Sequence, residues 1–190
     1  LLSKQKKYMF IPALVLLFTL AAALPVLAGD DGGTVINENS GAAYSTITEA
    51  VANAADGDVL TVGAGTYSES VVLDKALTLN GEPGAVVEGA DDYVFLIQAS
   101  GVVLNGLTMQ HAGEAKYAVK VDYDGFDPED SACWSITNCR MFGTGVDKSA
   151  AIHVCGEAVP PSNILIENNV IEHYFFGIDF IMPPIVKTIF

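Results

Sequence analysis

From residue 59 onward the chain is a succession of short aliphatic runs broken by Gly, Asn, Asp and Pro. The runs alternate apolar and polar positions over four to eight residues, which predicts strands with one buried face. They fall at 59–62, 70–73, 76–80, 85–88, 93–97, 102–109, 117–121, 134–142, 150–155, 164–171 and 177–181. One stretch reads otherwise. In "YSTITEAVANAA", residues 44–55, Ile47, Val51 and Ala54 recur with helical spacing, and Thr46 and Glu49 stand in capping-box spacing. Asp56-Gly57-Asp58 closes that helix, which is expected near 46–55.

The strands repeat. Leu79-Asn80-Gly81, Leu104-Asn105-Gly106, Ile136-Thr137-Asn138 and Ile166-Glu167-Asn168 share an aliphatic, a polar residue, then Gly or Asn, at steps of 25, 32 and 30 residues. A second column runs Val94-Phe95-Leu96, Val119-Lys120-Val121, Ile152-His153-Val154 and Ile178-Asp179-Phe180, at steps of 25, 33 and 26. Two columns advancing together place at least two strands in each repeat, and periods of this size indicate a solenoid. Long helical stretches and a leucine-rich-repeat frame are both missing, which leaves an all-β fold, a parallel β-helix. Gly or Asn suits its corners because both tolerate left-handed backbone. Stacked Asn at 138 and 168 can bond along the axis, and the 46–55 helix is expected to cover the first sheet edge. Leu79, Leu104, Ile136 and Ile166, with Val94, Val119, Ile152 and Ile178, are expected to point inward.

The ends read differently. Lys4, Lys6 and Lys7, an apolar run from Met9 to Leu24 and Val26-Leu27-Ala28 give the charge–apolar–small order of a secretory signal peptide over 1–28. Residues 29–43 read as a lead-in and 44–190 as the β-helix domain. This predicts a secreted, periplasmic or cell-surface protein, free of membrane once the signal is removed. The chain starts at Leu1 and ends on Ile189-Phe190, which predicts a β-helix continuing past residue 190.

The net charge is −14, and all 23 acidic residues follow residue 28. Such a chain repels phosphate backbones, so nucleic acid is excluded as a partner. An acidic surface could gather cations, but no motif supports a calcium site or any other cofactor. Cys133, Cys139 and Cys155 allow one disulfide with a thiol left over, or three free thiols.

The segments "YSTITEAVANAADGDVLTVGAGTYSESVVLDKALTLNGEPGAVVEG", residues 44–89, and "GVVLNGLTMQHAG", residues 101–113, resemble the opening of right-handed parallel β-helix proteins of the pectin-lyase-like superfamily. The resemblance is to its carbohydrate-binding and sugar-hydrolase branch, which includes nitrous oxide reductase maturation accessory proteins and archaeal and bacterial surface repeat proteins. It implies a carbohydrate-binding or structural, adhesive surface module. The alternative it implies is the N-terminal part of a polysaccharide lyase, glycoside hydrolase or epimerase with catalytic coils beyond residue 190. Maturation of a periplasmic metalloenzyme is a third reading. The catalytic sets of the family's enzymes are not found here. "YDGFDPED", residues 123–130, resembles a segment of mannuronan C5-epimerases, but Glu129 stands where their catalytic His would be and Asp124 interrupts the motif.

Candidate chemistry therefore comes from alternation. If Val119 and Val121 point in, Lys120 points out. The same reasoning predicts an outward row of Phe95, Lys120, His153 and Asp179, with Thr137 and Glu167 outward on the first column and Arg140 nearby. Lys120, Arg140, His153, Glu167 and Asp179 are the candidate ligand-binding residues for a polysaccharide or cell-surface glycan lying along the axis. A Lys–His–Asp row also suits acid–base work. His111 and His173 follow their strands at similar points, without a third metal ligand at clear spacing.

Overall fold

A computed structural model describes residues 33–111, 116–126, 133–145, 147–156 and 163–181. Seventeen strands and one α-helix are found among them. After β1 (Val35–Asn37), β2 (Ala43–Tyr44) and α1 (Ile47–Asn53), the chain makes five successive coils. The first holds β3 (Val59–Val62), β4 (Gly65–Tyr67) and β5 (Val71–Leu73). The second holds β6 (Thr78–Gly81), β7 (Ala85–Gly89) and β8 (Tyr93–Ile97). The third holds β9 (Val102–Asn105), β10 (Thr108–His111) and β11 (Tyr117–Asp122). The fourth holds β12 (Cys133–Thr137), β13 (Arg140–Phe142) and β14 (Ala150–Cys155). The fifth holds β15 (Asn163–Glu167), β16 (Val170–Glu172) and β17 (Phe176–Phe180).

Each coil gives one strand to each of three sheets, ordered β15-β12-β9-β6-β3-β1-β2, β16-β13-β10-β7-β4 and β17-β14-β11-β8-β5. Every pairing between coils is parallel, so the molecule is a mostly-β, solenoid-like stack. The repeat thus carries three strands. The runs 102–109, 134–142 and 164–171 each divide into a first-sheet and a second-sheet strand. The break falls where Gly106, Asn138 and Asn168 take positive φ of 71°, 55° and 55°, a left-handed turn that these residues tolerate. Short strands at β1, β2 and β4 have too few residues to show alternation.

The first column stands as the pattern predicts. Leu60, Leu79, Leu104, Ile136 and Ile166 are register partners, and all but Ile166 are fully buried. Beside them, Asn105 donates from Nδ2 to Asn80 Oδ1 at 3.1 Å, and Asn138 Nδ2 donates to Asn105 Oδ1 at 2.7 Å. The axial amide ladder therefore runs through Asn80, Asn105 and Asn138. Asn169 ties the fourth coil to the fifth instead, accepting from Cys139 N–H at 2.8 Å and donating to Ile136 C=O at 2.7 Å.

The second column needs one correction. Val119 pairs with Phe95, and Lys120 with Leu96, so Phe95 points inward and is 0% exposed. Alternation fails there because Val94 is buried as well, and its Cγ2 would lie 3.0 Å from a Cβ at Gly89. The second residue of these strands turns in at the corner, and Ala118 and Ala151 repeat the pattern. The inner column is Val71, Phe95, Val119, Ile152 and Ile178. Ile178 keeps the register but is 42% exposed, since β17 is the outermost described strand of its sheet. The apolar run 182–190 lies outside the described residues, as do 1–32 and the proposed signal.

The other end is closed. β1 runs antiparallel to β3 and β2 antiparallel to β1, so the fold begins ahead of residue 44. Helix α1 is shorter than 46–55, with Thr46 Oγ1 accepting from Glu49 N–H at 3.1 Å as N-cap. Ile47, Ala50 and Val51 are its buried face. Residues on either side of β5 hold it at both ends. The Glu69 carboxylate accepts from Ile47 N–H at 2.7 Å and Thr48 N–H at 2.8 Å. The Lys75 ammonium donates to the carbonyls of Val51, Ala52 and Ala54 at 2.9, 3.2 and 2.9 Å. Each charge opposes the partial charge of the helix end it meets.

Two outcomes are expected. Ile136→Asp places an unpaired carboxylate in a dry interior and should yield insoluble protein; a soluble mutant with native circular dichroism would contradict that burial. Lys75→Ala strands three carbonyls at the helix end and should lower unfolding free energy by about 1–2 kcal/mol in urea titration.

Candidate functional site

The outer face of the third sheet brings together three of the five candidate residues. Lys120 on β11, His153 on β14 and Asp179 on β17 are register partners in successive coils. The inner neighbours fix this. Val119 and Val121, Ile152 and Val154 fill the core, so the residue between each pair faces out. Leu96 and Val72 complete the row in the second and first coils. Arg140 lies on the second sheet, where its Nη2 meets Glu172 Oε2 at 2.6 Å, and Glu167 ends β15 on the first sheet. These two candidates therefore stand on other faces.

His153 is 6% exposed despite its outward position. Its ring stacks on Tyr117, with centroids 4.3 Å apart and planes 12° from parallel. Its Nδ1 lies 3.1 Å from Asp179 Oδ2. A carboxylate only accepts, so Nδ1 carries the hydrogen and the ring's other nitrogen, Nε2, is the one suited to exchange a proton. Tyr117 is the register partner of Tyr93 one coil below and of Ala150 one coil above. Ala150 has no bulk beyond Cβ, which leaves room for the Tyr117 ring to meet His153. The tyrosines were not singled out from sequence because they open their strands, just ahead of the break in alternation. Tyr93 and Tyr117 recurring 24 residues apart, close to the first column's step of 25, was the available signal.

Carboxylates surround this face. Burial pushes the Tyr117 hydroxyl above its usual pKa, and Asp92, Asp179 and Cys155 add to the shift. Tyr93 is raised by burial and then by Asp91 and Asp92. Burial also raises the Cys155 thiol, with Lys120 opposing and Asp122 and Asp124 reinforcing. Lys116 pairs with Asp92 at 3.7 Å, an exposed contact of small energy.

The remaining sequence candidates have structural occupations. Cys133, Cys139 and Cys155 are all free thiols. Tyr123 of the epimerase-like segment is buried, accepting from Trp134 Nε1 at 3.1 Å and packing edge-on against Phe126. Asp127, Pro128 and Glu129 lie outside the described residues. His173 is exposed, with its ring 4.6 Å from that of Phe142. His111 is 8% exposed and meets the Tyr174 hydroxyl through Nε2 at 2.8 Å. Tyr174 arrives from the fifth coil, and Gly143 in the fourth makes the passage: a Cβ there would lie 2.9 Å from Tyr174 Cδ1 and 2.5 Å from His173 O. No group of three His, Cys, Asp or Glu able to hold a metal occurs among the described residues, and no described helix is long and apolar enough to cross a membrane.

No family model, curated protein or solved structure matches the chain.

The His111 site yields a pH prediction. Burial pushes its pKa down to about 4 from 6.5, and Nδ1 has no partner among the described residues. The depressed value means the native state disfavours the charged ring. Its share of stability is complete above pH 6.5 and is lost as pH falls from there through about 4. Discounted for partial exposure, that share is about 1–2 kcal/mol. Urea titrations between pH 7 and 4 should show this loss in the native protein and a smaller slope in His111→Gln.

Proposed function

We propose that the chain is a secreted or cell-surface right-handed parallel β-helix of the pectin-lyase-like superfamily whose third-sheet outer face binds carbohydrate. The observation that carries this reading is the pairing of an aromatic column, Tyr93 and Tyr117, with the hydrogen-bonding row Lys120, His153 and Asp179. Tyrosine rings offer apolar faces to the C–H surface of a pyranose, and the row offers donors and acceptors to its hydroxyls. Both lines advance by one coil, about 4.8 Å, a spacing suited to an extended glycan lying along the axis. The signal-like N-terminus and the acidic surface support an extracellular setting.

One observation favours a second reading. A histidine oriented by a carboxylate is the arrangement used for general acid–base catalysis. On that reading His153 Nε2 exchanges protons with a bound glycan, as in a lyase, hydrolase or epimerase, with further catalytic groups elsewhere.

A glycan array probed with the folded protein tests the first reading. Binding of at least one extended oligosaccharide is expected, weakened about tenfold, or 1.4 kcal/mol, by Tyr117→Ala. An array with no bound glycan overturns it. Chromatography of the bound oligosaccharide after incubation tests the second, which requires product formation that His153→Ala abolishes.

A further inference from the structure

We propose that the ligand of the third-sheet face is a cationic glycan, a polymer of amino sugars carrying free ammonium groups. This rests on the carbohydrate-binding reading above and adds the charge class of the ligand. The aromatic column stands in a field of one sign. Asp91 and Asp92 precede Tyr93, Asp179 holds the ring stacked on Tyr117, Asp122 ends β11 and Asp124 follows it. Against these five carboxylates stand Lys116, already paired with Asp92, and Lys120, while Asp147 and Lys148 ahead of β14 offset each other.

Carboxylates at these positions would repel a polyanion, and the net charge of −14 adds to that repulsion. A neutral glycan would use the tyrosines and gain no Coulombic attraction from these carboxylates. An ammonium on the sugar ring uses both. It is attracted to the face of a tyrosine within about 6 Å, and a carboxylate one coil away, about 4.8 Å, completes a charge-assisted hydrogen bond. Lys120 sits in the middle of the row and opposes an ammonium there. It marks the position where a ring hydroxyl faces the protein, with ammonium groups toward Asp92 on one side and Asp179 on the other.

The test compares three hexasaccharides by calorimetric titration of the folded protein: β-1,4-linked glucosamine, its N-acetylated counterpart and an oligogalacturonate. The first two share a backbone and differ in the ammonium. We expect the glucosamine hexamer to bind at least about tenfold more tightly than the N-acetylated one, and the oligogalacturonate not to bind. The preference should collapse in Asp92→Asn/Asp179→Asn. It should persist in Glu38→Gln/Glu49→Gln, which removes the same charge at the capped end. If Asp179→Asn unfolds the protein by circular dichroism, Asp92→Asn with Asp122→Asn serves in its place. Equal binding of the two glucosamine polymers, or preference for the galacturonate, overturns the charge class while leaving a carbohydrate site. A preference that drops equally in both double variants is attraction to net charge and overturns it too. Failure of all three to bind overturns this inference, whereas the carbohydrate reading itself stands or falls on the wider array.

Discussion

Everything in this molecule depends on one constraint: successive coils must stack in parallel register around a dry interior. A strand of three to six residues has too little apolar surface to be stable alone. Stacked on a partner of the same pattern, it buries Leu104 between Leu79 and Ile136, and Met109 between Val87 and Met141. Because side chains alternate, a slip of one residue would carry each aliphatic to the solvent face. Register is thus set by burial, and everything on the outside inherits it. Lys120, His153 and Asp179 meet because Val119, Ile152 and Ile178 do.

The same constraint makes the two ends of the stack the points needing special chemistry. At one end β1 pairs antiparallel onto β3 and β2 onto β1, and α1 is clamped by Glu69 and Lys75. Inside the stack the corners are secured by amides, since Asn105 and Asn169 bond to neighbouring coils. These polar ties are half-buried and reach across 25 to 33 residues of sequence. They fix the turn positions that aliphatic burial alone leaves loose.

Much of this was legible because the requirement repeats. Four occurrences of aliphatic–polar–Gly/Asn located the first sheet and its corner, and the helix announced itself through Thr46 and its Ile47–Val51–Ala54 face. In the third, fourth and fifth coils the second-sheet strand was hidden inside a longer run, since a left-handed Gly or Asn breaks a run without interrupting its apolar character. Phe95 was misassigned because Val94 and Phe95 are both buried, and a period of two cannot rank adjacent apolar residues. Of the candidate site, Lys120, His153 and Asp179 followed from alternation. The stacking of His153 on Tyr117 depends on the small side chain of Ala150 one coil away, which no local pattern records.

The most direct test of the account is the register itself. Thr78 and Val103 are outward partners on β6 and β9. Their Cα atoms lie one strand spacing apart, about 4.8 Å, within disulfide range. With Cys133→Ser, Cys139→Ala and Cys155→Ser in the background, oxidation of Thr78→Cys/Val103→Cys should close an intramolecular bridge, seen by mass spectrometry of a proteolytic digest. Thr78→Cys/Val102→Cys, shifted by one residue and placed on opposite faces, should not close. Efficient bridging of the shifted pair, or of neither, would contradict the parallel in-register stack from which every other placement follows.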